Sequence, residues 1–195
     1  MKTALVTGAT GCLGQALCAE LAAHGWSLRT VARRAEPPET PPLAHYLLDL
    51  SCDLLPPAAL VGVDAVFHCA ALSSAWGRRS AFRAANVTAT LRLIEAARDA
   101  GVPRFIHVST PSIYITGQPR LNLAEDAPLP HTFLTDYAAT KFESERIVRA
   151  ANSAGFTTVT LRPRAIYGRH DRALLPRLLQ AAARGPHRCR GTGRR

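Results

Sequence analysis

The 195-residue chain has no run of eighteen apolar residues, so no membrane-spanning helix is expected. Its N-terminus carries Lys2, but the apolar stretch that follows is too short for the core of a signal peptide and runs straight into glycine. A cytoplasmic location is therefore expected. Cysteine is sparse and odd in number: Cys12, Cys18, Cys52, Cys69 and Cys189, with no C-x-x-C spacing. That argues against a disulfide framework and against a zinc site; free thiols and no metal are expected. Acids are few, 14 against 24 Lys and Arg, which leaves a formal charge of +10. The excess does not read as a nucleic-acid footprint. The last twelve residues hold Arg184, Arg188, Arg190, Arg194 and Arg195 with no acid, and without those five the chain carries +5, scattered rather than blocked. Neither nucleic acid nor membrane is expected as a partner. There is no internal repeat.

What is present is enough length for one compact domain and an ordinary hydrophobic fraction, 47%. Strand-like apolar runs alternate with helix-like patterns. Strands are expected at Lys2 to Thr7, Ser27 to Ala32, Ala44 to Leu48, Asp64 to Cys69, Arg104 to Ser109 and Thr157 to Leu161. Helices are expected at Cys12 to His24, ended by Gly25, and at Ser80 to Ala100, ended by Gly101. Two more are expected at Asp136 to Ala154, ended by Gly155, and at Asp171 to Arg184, kinked or started at Pro176. Arg33 to Pro42 and Pro111 to Pro130 read as loops. The alternation predicts an α/β protein with a doubly wound parallel sheet covered on both faces. Residues 1–185 read as one domain and 186–195 as an irregular basic tail.

After the first strand comes Gly8-Ala9-Thr10-Gly11-Cys12-Leu13-Gly14, opening the first helix. Gly8 permits a tight turn, Gly11 lets backbone approach a pyrophosphate, and Gly14 lets helix and strand pack closely. The helix N-terminus would then offer free N–H groups and a positive dipole end to phosphate. The alternative, a plain glycine-rich turn, does not account for the strand-before, helix-after context. An acid ending the second strand would bind a ribose 2′-hydroxyl; instead the chain has Ala32-Arg33-Arg34. Two arginines suit a 2′-phosphate, so the cofactor is expected to be NADP or NAD, with NADP favoured. They could also be solvated loop charges.

Tyr137 and Lys141 stand four apart on one helical face. An ammonium near a phenol favours phenolate and lowers the tyrosine pKa, which suits Tyr137 to proton transfer near neutral pH. Ser109 and Thr110, ending the fifth strand, offer hydroxyls that could hold a carbonyl or alcohol oxygen.

With these motifs in order, the chain resembles an extended short-chain dehydrogenase/reductase of the NAD-dependent epimerase/dehydratase family, most similar to its 3β-hydroxysteroid dehydrogenase-like branch. The resemblance runs from Met1 to about Gly185. Besides the glycine motif it rests on Asp49-Leu50, Val66-Phe67-His68-Cys69-Ala70-Ala71 and Asn86-Val87. It continues through His107-Val108-Ser109-Thr110-Pro111-Ser112-Ile113-Tyr114, Tyr137-x-x-x-Lys141 and Leu161-Arg162-Pro163-Arg164-Ala165-Ile166-Tyr167-Gly168. It implies a Rossmann fold, a three-layer αβα sandwich. It implies Tyr137 as general acid/base, Lys141 on the nicotinamide ribose, and Thr110 as the hydroxyl partner, with Ser109 as fallback. Asn86 would support the site. Gly8, Thr10, Gly11, Cys12, Leu13 and Gly14 would form the cradle, and Arg33 and Arg34 the ribose end. Asp49 and Leu50 would contact adenine, Ala70 and Ala71 would line the cofactor, and Pro163 and Ile166 would pass the nicotinamide. Asp49 could instead be a turn residue or cap. His68 reads as a packed strand-end histidine, and Tyr114 and Tyr167 as packing aromatics.

The resemblance also implies hydride transfer on a small-molecule carbinol or carbonyl: hydroxysteroid-like, a β-keto acid, or a nucleotide sugar. The epimerase or dehydratase variant begins with the same step. The chain departs from the family's pattern at its end. Family members run well past 300 residues and close a C-terminal lobe over the substrate; here that lobe is largely missing, which leaves an exposed sheet edge and weakens turnover. A non-catalytic dinucleotide-binding protein, a truncated pseudo-enzyme, is the competing expectation, and an RNA-binding member of the fold a third. The two long helices imply a possible homodimer, although Leu91, Ile94, Phe142 and Ile147 could equally be core.

Overall fold

The computed structural model describes residues 1–74, 76–172 and 174–184; the basic tail, with Cys189, lies outside the described residues. Six strands form one sheet: β1 (Thr3–Thr7), β2 (Ser27–Ala32), β3 (Ala44–Leu47), β4 (Ala65–His68), β5 (Arg104–Val108) and β6 (Thr157–Leu161). They pair in parallel in the order β3-β2-β1-β4-β5-β6. The expected doubly wound sheet is observed. Its order reverses between β1 and β4, which opens a crevice at their carboxyl ends.

Five α-helices accompany the strands: α1 (Cys12–Ala23), α2 (Arg79–Phe82), α3 (Ala89–Asp99), α4 (Asp136–Ala150) and α5 (Leu175–Ala183). The period-two alternation of β1 divides the core. Ala4 and Val6 pack with Cys18, Leu21 and Leu28 on the α1 side. Leu5 packs with Val66, Phe105, Leu93, Ile94, Val148 and Phe156 on the α3–α4 side. Each large side chain buried this way contributes about 1.5–3 kcal/mol. The three layers follow directly from strands that are apolar on both faces.

The helix ends obey local rules. α1 and α3 close in Schellman motifs: Gly25 and Gly101 take positive φ, and Trp26 and Val102 donate back to Leu21 and Ala97. Thr135 caps α4, its hydroxyl accepting from the Ala138 N–H at 3.1 Å. α4 stops at Ala150, short of the expected Ala154, because Ser153 and Phe156 bridge back to form the turn into β6. α5 begins at Leu175 with Pro176 in its first turn, so the proline starts the helix rather than kinking it.

The single helix expected at Ser80 to Ala100 is not one α-helix. Between α2 and α3 lies a π-helical stretch, Arg83–Thr88. Within it Asn86 is pulled inward by partners outside the helix, and the Thr90 hydroxyl donates to the Asn86 carbonyl at 2.7 Å. Such widened turns are characteristic of functional positions.

The β6 side is less covered. Val159 and Leu161 are half exposed, and α5 buries no residue, with Leu178 and Leu179 facing out. The exposed edge and apolar surface expected there are present. No described helix is long and apolar enough to cross a membrane.

Candidate functional site

The exits of β1, β2, β3 and β4 surround a cleft of about 740 Å³, within the range of small-molecule and cofactor sites. Its floor is the glycine loop. Gly8 has φ +66°, and a Cβ there would meet Ala70 N at 2.8 Å. A Cβ on Gly14 would collide with the Gly8 carbonyl and with Ala9 Cα at 2.7 Å. A Cβ on Gly11 would meet only the Gly8 carbonyl, at 3.2 Å, so Gly11 is spare space on the cleft side. Gly11 caps α1 without a side chain, and the first intrahelical bond is Gln15 N–H to Gly11 carbonyl. The preceding N–H groups of the helix are therefore donors in search of an acceptor. This cradle fits a pyrophosphate: free N–H groups, a dipole end, and bare backbone where a Cβ would intrude.

The structure brings most expected residues to this cleft: Gly8, Thr10, Gly11, Cys12, Leu13 and Gly14 at the floor, Arg33 and Arg34 from the β2 exit, Asp49 and Leu50 beyond β3, Ala70 and Ala71 beyond β4. Pro163 and Ile166 follow β6 and do not line it. The sequence reading missed Leu72 and Ser73, and also Ala81, Ala84 and Ala85. Those three alanines recur at helical spacing, a small-residue face that could have flagged a close approach.

At the ribose end, Arg34 donates to the Thr10 carbonyl at 3.2 Å and Arg33 lies 3.8 Å from Asp49. Asp49 Oδ1 accepts from the N–H and hydroxyl of Ser51, at 2.9 and 2.7 Å. Those bonds hold its carboxyl below the usual range, with Arg33 adding to the effect. Asp49 thus serves as a turn residue and a cleft wall at once.

The proton-handling candidates Tyr137, Lys141 and Thr110 do not line the cleft; they stand on α4 and just past the end of β5. Tyr137 stands one residue into α4, with the Thr110 hydroxyl near enough to act on its phenol. Thr110 also caps the short 3₁₀ turn Pro111–Tyr114, accepting from Ser112 N–H at 3.2 Å. Ser109, the fallback, is buried with no partner for its hydroxyl. Burial raises the Tyr137 pKa, and the neighbouring Thr110 hydroxyl opposes only part of that. The lowering expected from Lys141 is absent, because the ammonium is turned elsewhere: Nζ donates to the Val108 carbonyl at 2.7 Å and lies 3.3 Å from His107 Nε2.

Asn86, buried in the π-helical stretch, clamps the site's frame. Its Oδ1 accepts from Leu72 N–H at 2.8 Å, and its Nδ2 donates to the Leu72 carbonyl and to Thr140 Oγ1, at 3.2 and 3.1 Å. One side chain thereby ties the β4 exit to α4.

His68 is packed at the strand end as expected, but it is also a fully satisfied link. Thr90 spends its hydroxyl proton on Asn86, so it must accept from His68 Nε2–H, at 3.0 Å. His68 Nδ1 then accepts from the Thr7 hydroxyl at 2.8 Å, and Thr7 Oγ1 accepts from Ala70 N–H at 3.2 Å. Burial, then the nearby ammonium of Lys141, pushes the His68 pKa down to about 3. Tyr114 is buried, donating to the Glu125 carbonyl at 2.5 Å, whereas Tyr167 is 67% exposed rather than packed as expected.

A further cluster escaped the sequence reading. Arg162 grips Glu145 in a bidentate pair, at 2.9 and 2.7 Å, and also contacts the Tyr114 hydroxyl and the Glu125 carbonyl. It pins the loop before α4 to the end of β6. Ile94 belongs to the core and Ile147 packs against it, while Leu91 is exposed and Phe142 stacks on Phe133 at 5.1 Å. Cys12, Cys18, Cys52 and Cys69 are free thiols. Among the described residues no cluster of His, Cys, Asp and Glu is placed to hold a metal.

Comparison with known proteins agrees with this geometry. The family model described as "NAD dependent epimerase/dehydratase family" matches residues 4–194. The chain is 40% identical to the 2-alkyl-3-oxoalkanoate reductase of Stenotrophomonas maltophilia, over 97% of this chain and 58% of that protein. It is 34% identical to the human sterol-4-alpha-carboxylate 3-dehydrogenase, decarboxylating, over 94% of this chain and 50% of that one. Among solved structures, MoeE5 in complex with UDP-glucuronic acid and NAD superposes with a TM-score of 0.80 at 33% identity, covering 92% of this chain and 60% of that one. The chain thus spans about half the length of the curated relatives it matches. Since that family model matches residues 4–194, nearly the whole chain, the chain belongs to the NAD-dependent epimerase/dehydratase family.

Proposed function

We propose that the chain forms the dinucleotide-binding half of an NAD(P)-dependent oxidoreductase in which Tyr137 exchanges a proton with the oxygen of a small-molecule carbonyl or carbinol. The observation that carries this reading is the glycine cradle at the floor of the cleft, which fits a pyrophosphate; the Tyr137 phenol on α4, with the Thr110 hydroxyl acting on it, supplies the proton-handling group. When bound, the dinucleotide supplies or takes the hydride. The chain supplies the rest. Thr110 and Tyr137 fix the substrate oxygen, Asn86 holds the β4 exit against α4, and Lys141 anchors α4 to β5 through the Val108 carbonyl. The raised pKa of Tyr137 keeps the phenol protonated, which favours the reductive direction, in which Tyr137 gives its proton to a carbonyl oxygen.

The two curated relatives bear names that pair an oxygen at carbon 3 with a nearby carboxylate. A β-oxo or β-hydroxy acid is therefore the substrate class we assign. NADP is the preferred cofactor in this reading, supported by Arg33 and Arg34 at the ribose end and by the occupation of Asp49 with Ser51. Self-association through α3 and α4 belongs to the same reading, supported by the outward Leu91; sedimentation at two concentrations tests it.

Calorimetric titration with NADPH and NADH tests the cofactor reading. NADPH is expected to bind at least about tenfold tighter, as one charge-assisted hydrogen bond implies. Arg33→Ser with Arg34→Ser abolishes that preference. Tyr137→Phe binds cofactor as wild type does but loses about 10²–10⁴-fold in reduction of a 3-oxo acid. Binding of neither cofactor overturns the reading.

A further inference from the structure

Beneath the Tyr137–Lys141 helix the parallel register lines up one row of side chains: Thr7 beside His68, and His68 beside His107. The two imidazoles stack with centroids 5.5 Å apart and planes 29° from parallel. Both are fully buried, and so is Lys141. They differ in one respect. His68 has a partner on each nitrogen, and its chain of donors admits a single tautomer, Nε2–H. His107 has two neighbours on Nε2, Ser144 Oγ at 3.1 Å and Lys141 Nζ at 3.3 Å, and, among the described residues, none on Nδ1.

A ring nitrogen is either a donor or an acceptor, never both. The Ser144 hydroxyl donates to the Lys141 carbonyl at 2.8 Å, so toward His107 it can only accept, which needs Nε2–H. A charged Lys141 brings N–H groups to the same nitrogen and needs a bare Nε2, with the ring proton on Nδ1. The two contacts belong to two tautomers, and the charge on Lys141 decides between them. An ammonium facing Nε2–H sets donor against donor; a neutral amine offers a lone pair instead.

We infer that His107 is a positioning residue for Lys141, a neutral imidazole that changes tautomer as Lys141 changes charge. Across the titration Lys141 ends as the neutral amine and the single ring proton of His107 ends on Nε2 instead of Nδ1. One proton leaves in total, the ring stays neutral, and Nζ keeps a hydrogen-bond partner in both states. The role in turnover rests on the oxidoreductase reading, in which Lys141 stands behind Tyr137; the tautomer change itself does not.

The surroundings support a lysine that titrates in place. Burial draws Lys141 down to about 8, with Glu145 on the same helix and Cys69 beyond β4 opposing. Glu145 is held by Arg162. Arg83 of the π-helical stretch is held by Glu143. Cys69 stays a thiol, pushed up to about 12 by burial. His68 from β4 is neutral, and burial and the ammonium hold His107 well below the ordinary histidine value. The chain also uses arginine almost everywhere: of its 24 basic residues only Lys2 and Lys141 are lysine. Arginine would stay charged through this range, whereas lysine can titrate when buried.

That scarcity makes the test direct. Protein labelled with ¹³Cε-lysine gives two lysine signals, Lys2 and Lys141, and ¹⁵N-histidine labelling reports each of the seven rings. Without any cofactor, Lys141 is expected to titrate at about 8, far below an ordinary lysine. His107 should invert from Nδ1–H to Nε2–H at the same midpoint, while His68 stays Nε2–H throughout. In Lys141→Met the His107 ring should remain Nε2–H at every pH. A His107 ring that keeps one tautomer through the Lys141 titration, becomes a cation, or still inverts in Lys141→Met overturns the inference. Inversion in a protein that binds neither NADPH nor NADH removes the oxidoreductase reading and leaves the coupling standing.

Discussion

The three cradle glycines should separate folding from binding. In Gly14→Ala the new Cβ meets backbone of Gly8 and Ala9, which sit on the buried strand–helix turn and have no room to retreat. Overpacking of this kind costs about 1–3 kcal/mol, or about 2–12 °C in Tm for a domain of this size. Gly8→Ala adds a left-handed backbone to its clash with Ala70, a further ~1–2 kcal/mol, and should lose the most. Gly11→Ala meets a single carbonyl at 3.2 Å, and its φ of −82° is open to any residue, so its Tm should move least. Its methyl group nevertheless lies where a phosphate must approach, so cofactor affinity should fall more than in any surface variant. Thermal unfolding of the three variants, with calorimetric titration of Gly11→Ala, measures both. A Gly14→Ala melt equal to wild type, or a Gly11→Ala protein that unfolds earlier than Gly14→Ala, would refute the assignment of packing to one glycine and ligand approach to the other.

Acid should destabilise the protein through its buried histidines. The unfolded rings take protons below about pH 6.5 while folded His68 resists until about 3, so stability is lost as pH falls through that window, by about 1.4 kcal/mol per pH unit for each such ring. Urea melts of His68→Gln against wild type from pH 7 to 4 should converge as pH drops. At alkaline pH Lys141 acts with the same sign: the unfolded lysine holds its proton to about 10.5, the folded one only to about 8, so stability again rises with pH. Wild type should therefore gain on Lys141→Met between those values, by about 3 kcal/mol at most, and a constant difference would count against a buried titrating lysine. Glu145→Gln leaves Arg162 without its bidentate partner and should cost about 3–5 kcal/mol in urea unfolding, much of it recovered by the double change to methionine at both positions.

Much of the site was readable along the chain because its elements are local. The glycine spacing, the strand before it and the helix after it depend on residues a few positions apart, as does Tyr137 standing one turn from Lys141 on a capped helix. The six strands were readable for a related reason: buried parallel strands are apolar on both faces, whatever their neighbours. The π-helical stretch was not readable. Its residues have an ordinary helical pattern, and it widens because Asn86 reaches Leu72 and Thr140, which lie 14 and 54 residues away. The Arg162–Glu145 pair escaped for the same cause, since it forms only after β6 has come to lie beside β5.

Lys141 marks the boundary most clearly. Its identity and its spacing from Tyr137 pointed to the chemistry of a proton-transfer site, and those are properties of the chain. Where its ammonium points is not. The helix sets it on one face, but the pairing of β4 with β5 places the Val108 carbonyl and two neutral imidazoles beneath it, and burial among them, rather than proximity to Tyr137, sets its charge. Sequence alone determined the order of elements, the glycine spacing and the pairing of Tyr137 with Lys141 on one helical face, because short-range sterics and periodicity encode them. The tertiary structure alone decided protonation, tautomers and orientation, because those depend on desolvation and on partners that only the folded sheet brings within reach.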